Sequence, residues 1–172
     1  VAFAVDREIV QVVELAGALY DGGLLAVKGG TCTVVGDAQK LGESVPDSLE
    51  RVVLSRLDRL PVEEQLTMKV ASVIGRSFLV RTLGAVYPKP IEDSDLREHL
   101  DDTSMRQLTE LEAVDPEPSF AFRHVVTQQV AYETLLFTQR RGLHRGVAAW
   151  YETVYEGNLS LHHPLLAFHW NR

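Results

Sequence analysis

Between residues 62 and 122 the sequence sets three helix-length apolar stripes end to end and then closes with two short β-prone runs. Few small folds accommodate that order. Pro61 ends what precedes it and suits the first turn of a new helix, where Glu63 and Glu64 complement the positive helix start. Leu66, Val70, Val73 and Ile74 carry the apolar face of that helix as far as Gly75. Residues 79–86 predict a shorter helix, closed by Tyr87, Pro88 and Pro90. Residues 94–112 predict a third, with Leu96, Leu100, Met105, Leu108 and Leu111 at helical spacing. Ala113-Val114 and Ser119-Phe120-Ala121-Phe122 then flank Asp115-Pro116-Glu117-Pro118 as a small hairpin. Three helices followed by a hairpin are the order of a winged helix-turn-helix, which is the expected fold of this block.

Helical segments and a second hairpin flank this block, so the expected fold is mainly α with minor β. Residues 6–20 predict a helix through Ile9, Val10, Val13 and Ala16, stopped by Asp21-Gly22-Gly23. Two β-prone runs around Gly29-Gly30 predict a hairpin, and residues 36–44 read as a linker. Asp47 and Glu50 stand at capping-box spacing before Leu49, Val52, Val53, Leu57 and Leu60, the stripe of a further helix. Beyond the block, Val126, Val130, Ala131 and Leu135 mark one helix. Leu143, Val147, Trp150, Tyr151 and Val154 mark the clearest helix of the chain, ended by Gly157-Asn158. Residues 164–170 begin another, and the last two helices read as the first unit of an α-solenoid.

Composition narrows the class. The chain has 172 residues, 45% of them hydrophobic and 24% charged, enough apolar material for a core and too much for a disordered segment. The single Cys32 excludes an internal disulfide; in an apolar strand pattern it reads as an inert core thiol, compatible with a reducing compartment. No apolar run is long enough to span a membrane, and a start at Val1 without a basic leader reads as a piece of a longer cytoplasmic protein.

A winged helix invites a test for DNA binding. Its recognition helix would fall at residues 92–106, where Glu92, Asp93, Asp95, Glu98, Asp101 and Asp102 face only Arg97 and Arg106. That surface repels phosphate, so no direct DNA binding is expected. Basic residues gather instead at Arg123, His124, Arg140, Arg141, His144 and Arg145, read either as a solvated or interdomain face or as a nucleotide-phosphate contact. His162, His163 and His169 lack a completing ligand set for metal, and His169 beside Trp170 reads as packed. Neither a G-x-S-x-G elbow nor a G-x-x-x-x-G-K-[ST] loop occurs; Gly75-Arg76-Ser77 lacks the upstream Gly and the Lys. The segment itself therefore reads as non-enzymatic, with no metal and no catalytic residue.

Several runs carry a family likeness: VPDSL at 45–49 with SRLDRL at 55–60, EQLTMKVASVIGR at 64–76, FRHVVTQQVAY at 122–132, FTQRRGLHR at 137–145 and PLLAFHW at 164–170. In this order they resemble the ATPase portion of class III adenylate/guanylate cyclases that carry a STAND-type, AAA-related ATPase and a TPR-like tail, the group of the soluble adenylyl cyclases. The resemblance covers nearly the whole chain. It implies the end of the ATPase helical lid, with hairpin and linker, at residues 1–44. A winged-helix domain follows at 45–136, and the start of a TPR-like helical arm at 137–172.

The resemblance also implies a role. The P-loop and cyclase domains would lie upstream and hold ATP or ADP with Mg, the segment binding no cofactor alone. His124 looks like the histidine of an MHD-like motif that senses the β-phosphate, with Arg123 beside it; Arg140, Arg141 and Arg145 match the family's basic helix as an interdomain face. The implied activity is signal transduction by a switch, in which diphosphate ties the winged helix closed through His124 and exchange releases it about the linker at 36–44. Partners would be the upstream ATPase and cyclase domains and downstream helical repeats. One departure stands out: the family's Gly-Asn-Pro near the lid is missing from Arg7-Glu8-Ile9-Val10-Gln11-Val12-Val13-Glu14-Leu15. Two other readings remain open, the same ATPase module in a transcription regulator with its DNA-binding domain elsewhere, and a protein-interaction scaffold.

Overall fold

The computed structural model describes residues 12–13, 16–17, 19–20, 25–35 and 49–172. The linker expected at 36–44, the Asp47 cap and most of the stretch at 7–15 lie outside the described residues. The fold is mainly helical with small antiparallel sheets. The chain divides into two compact units, Val1–Pro61 and Val62–Arg172.

In the first unit, β1 (Leu25–Lys28) and β2 (Thr31–Val34) pair antiparallel around Gly29 and Gly30. Both glycines have positive φ, +57° and +78°, as a tight two-residue hairpin turn of this hand requires. The described residues between 12 and 20 are helical, as their pattern predicts. Helix α1 (Leu49–Asp58) buries Val52, Val53 and Leu57 of its predicted stripe, together with Leu60 just beyond its end. Arg56 is buried as well, and its guanidinium lies against Gly17, where a Cβ would come within 2.7 Å of Cζ. Cys32 departs from expectation and is exposed, because a two-stranded ribbon cannot bury both its faces.

The second unit runs α2 (Val62–Ile74), β3 (Ser77–Leu79), α3 (Val80–Ala85), α4 (Asp93–Met105), β4 (Thr109–Ala113), β5 (Ser119–Phe122), α5 (Val125–Glu133) and α6 (Phe137–Val154). A 3-10 segment (Glu156–His162) and α7 (His163–Trp170) follow. The three strands form one antiparallel sheet in the order β3-β5-β4, with Ser77 opposite Ala121 and Thr109 opposite Phe122. Met68, Leu83, Leu96, Leu100, Leu108, Phe120 and Phe122 are fully buried and form the centre of the core. Phe78 meets Phe122 edge to face at 5.8 Å between centroids.

Two expectations are corrected. Residues 79–86 do not begin a helix directly: Ser77, Phe78 and Leu79 first add a strand to β5, and the helix starts at Val80. The helix expected across 94–112 stops at Met105. Gln107 takes a left-handed φ of 61°, its N–H donates to the Ser104 carbonyl at 2.9 Å, and the Leu108 N–H donates to the Thr103 carbonyl at 3.0 Å. That bond pair is a Schellman ending, sealed by contact-prone Thr103 and Leu108, both wholly buried. Leu108 therefore belongs to the approach of β4, and Leu111 lies exposed on the strand.

Glutamine in the left-handed region carries a steric cost that glycine avoids. Gln107→Gly is expected to raise the stability of the fold by about 0.5–1 kcal/mol, and Gln107→Val to lower it by at least as much. Urea denaturation of the two variants checks this; a less stable glycine variant would mean that the αL ending is not the native one.

Candidate functional site

Strand β5 delivers the residues singled out by sequence. The Phe122 N–H donates to the Arg76 carbonyl at 2.8 Å and the Arg123 N–H to the Leu108 carbonyl at 3.1 Å, so the backbone is held from both sides up to Arg123. His124 follows in extended conformation as the N-cap of α5. Its carbonyl accepts the Thr127 N–H at 3.0 Å, while its ring makes no capping bond to the first turn. The ring is half-buried with Nε2 covered, and Arg123 is exposed. Arg123 and His124 thus lead straight into the start of α5, the positive end of a helix.

The expected basic face on α6 divides. Arg140 turns back onto α5: its Nε donates to the Leu135 carbonyl at 2.9 Å and its Nη2 to the Glu133 carbonyl at 2.8 Å. Its guanidinium also covers the Tyr132 ring at 4.6 Å. A cation on the carbonyl end of a helix satisfies acceptors that the helix leaves open. Gln139 completes the joint by accepting the Leu136 N–H at 2.9 Å. Arg141 and Arg145 stand exposed one turn apart, clear of this joint.

His144 is not part of any basic surface. It is 1% exposed and lies in an unbroken polar chain: Tyr132 Oη to His144 Nε2 at 3.1 Å, then His144 Nδ1 to His169 Nδ1 at 2.7 Å. Two neutral imidazoles complete such a chain, one nitrogen of the close pair donating and the other accepting. His169 is packed, as its place beside Trp170 predicts, and Phe168 meets the His144 ring edge to face at 5.7 Å. Among the described residues no group of three or more metal-ligating side chains lies together. Sequence reasoning counted His144 among the arginines; the signal it passed over was the i, i+3, i+4 relation of His144 to Val147 and Ala148, which share the buried face.

Two open grooves border these elements. One, about 240 Å³, is lined by Ser72, Gly75, Gln128, Tyr132, His144 and Phe168 among others, and Gln128 spans it by donating to the Ser72 carbonyl at 3.0 Å. The other, about 310 Å³ and apolar, lies among Leu66, Val70, Val86, Leu135 and Leu143. His124 lines neither. Helix α4 exposes Asp93, Asp95, Glu98, Asp101 and Asp102, and is tied to α2 where Thr67 Oγ1 meets His99 Nδ1 and Tyr87 Oη, each at 3.0 Å. Glu64 is buried nearby, its carboxyl pushed above the usual range by desolvation and partly drawn back by Arg106 at 3.9 Å. No helix among the described residues is long and apolar enough to cross a membrane.

Burial holds both imidazoles of the pair near 4, well below 6.5; Arg172 adds to the effect at His144, and His144 does so at His169. Unfolded, the same rings take up protons as the pH falls through about 6.5. The unfolded state therefore binds more protons across that window, and stability falls as the pH drops from 6.5 toward 4. From pH 7 to pH 5 the expected loss is on the order of 2 kcal/mol per buried imidazole, read from urea denaturation at the two pH values. His144→Gln should flatten that dependence; equal slopes in the parent and the variant would mean that the pair titrates like free side chains. No family model, no curated protein and no solved structure matches this chain.

Proposed function

We propose that this chain is a non-catalytic regulatory segment of a STAND-type ATPase in a multidomain, cytoplasmic adenylate/guanylate cyclase. In this reading residues of the second unit form a winged helix followed by the start of a helical arm. An upstream P-loop domain holds ATP or ADP with Mg, and the segment relays the state of that nucleotide to the output domain. The observation that carries the reading is one of order. The succession α2-β3-α3-α4-β4-β5, with the sheet ordered β3-β5-β4, runs directly into Arg123 and His124 at the head of α5.

The chemistry at that corner suits a phosphate oxygen. An imidazole N–H at a helix start, beside an arginine and the positive helix end, makes a charge-assisted contact with an anion. The acidic outer face of α4 turns the reading away from nucleic acid, since a helix so charged meets a phosphate backbone with repulsion. A protein-interaction scaffold is the second reading, favoured by Leu161, Phe168 and Trp170, all large, apolar and exposed toward the end of the chain.

ADP retention by the full-length protein after gel filtration separates the two. His124→Ala is expected to weaken retention about tenfold, the scale of one lost hydrogen bond to a charged group, and His124→Gln by less. Retention unchanged in both variants would leave the scaffold reading.

A further inference from the structure

The tip of the β4–β5 hairpin is anchored twice at the start of α3. The Val80 N–H donates to the Pro118 carbonyl at 3.0 Å, and Arg81 Nε meets Glu117 Oε2 at 2.8 Å. The backbone of Arg81 is held at this spot, because Val80 and Thr82 on either side of it are buried. The same guanidinium reaches the far end of α6: Nη2 donates to Tyr155 Oη at 2.8 Å, and the cation stands 5.4 Å from the Trp150 ring centroid and 5.9 Å from that of Tyr155. Tyr155 in turn stacks on Tyr151 at 5.5 Å and lies 4.1 Å from the His162 ring, on the 3-10 segment that leads into α7.

We infer that Arg81 is the joint that makes the β4–β5 hairpin and the α6–α7 helical pair move as one body. Its three faces are all in use: one edge of the fork on the hairpin carboxylate, another N–H on a phenol of the arm, and the charged plane beside two arm rings. Lysine could keep the charge but not this simultaneous geometry. The hairpin carboxylate and the end of α6 both bind this side chain, and the ion pair is about two-fifths exposed, so the joint is weak enough to be released as well as made. The inference rests on the relay reading for its purpose, since it supplies the route by which a change at the corner after β5 reaches the arm. Its test uses no nucleotide, so either can fail without the other.

The test uses the whole chain carrying Trp170→Phe, which leaves Trp150 as the sole indole. Glu117→Gln, at the hairpin, is expected to increase acrylamide quenching of Trp150, and Tyr155→Phe, on the arm, to speed amide exchange across 109–122 about threefold. Both distant effects should vanish when Arg81 is already Gln, or already Lys should the Gln variant lose its native circular dichroism. Effects confined to the mutated element, or distant effects that persist without Arg81, would overturn the inference.

Discussion

Strand β5 is hydrogen-bonded along both edges, to β3 and to β4, and sends two wholly buried phenylalanines into the core. Four residues so constrained have little freedom of register, because a slip by one would drive Phe120 and Phe122 onto the face where only Ala121 is buried, and Ala121 into the space they fill. Whatever follows in the chain inherits that placement. Arg123 is still held by its backbone to Leu108, His124 turns the corner, and α5 starts from a fixed point against α2 through the bond from Gln128 to Ser72.

The helices after β5 are joined by polar side chains in places where a leucine stripe would serve an ordinary bundle. Arg140 closes the end of α5, and Tyr132, His144 and His169 run a hydrogen-bonded line from α5 through α6 to α7. Each of these groups is costly to bury alone and tolerable in the chain, so the arrangement is nearly all-or-none. Removing one member leaves its neighbour unsatisfied in the interior. A seam built this way holds one geometry firmly while contributing little net stability, which suits a part that must keep alignment more than it must resist unfolding.

Much of the architecture was legible because its signals are local. Gly29-Gly30 announced a turn that needs two positive φ angles, Pro61 announced a helix start, and Leu96 and Leu100 announced the buried face of α4. What was not legible is long-range or unconventional. Three residues are too few to show alternation, so β3 went unmarked and its last residue, Leu79, read as the start of the helix behind it. Gln107 ends α4 in a conformation that glycine or asparagine would have advertised. His144, in a run of arginines, read as charge although burial keeps it neutral, and its partner His169 stands on a different helix. Arg81 gave no signal at all, because an isolated exposed arginine has nothing local to mark it.

The arginines show how far a charge pattern can mislead about function. Around residue 140 the sequence presents one basic patch, yet Arg140 spends its donors on the carbonyls of Glu133 and Leu135, at and just beyond the end of α5, while Arg141 and Arg145 remain in solvent. Arg81, outside that patch, has as many partners as Arg140. A guanidinium stabilises structure when its planar fork meets acceptors already fixed in place, and steers ligands when it does not. By that criterion Arg81 and Arg140 belong to the joints of the fold. Arg123, exposed at the end of a rigid strand, is the arginine whose charge is presented outward from a fixed backbone. Its backbone placement is set in advance by the β3-β5-β4 ladder, so no rearrangement of the strand has to precede a contact there.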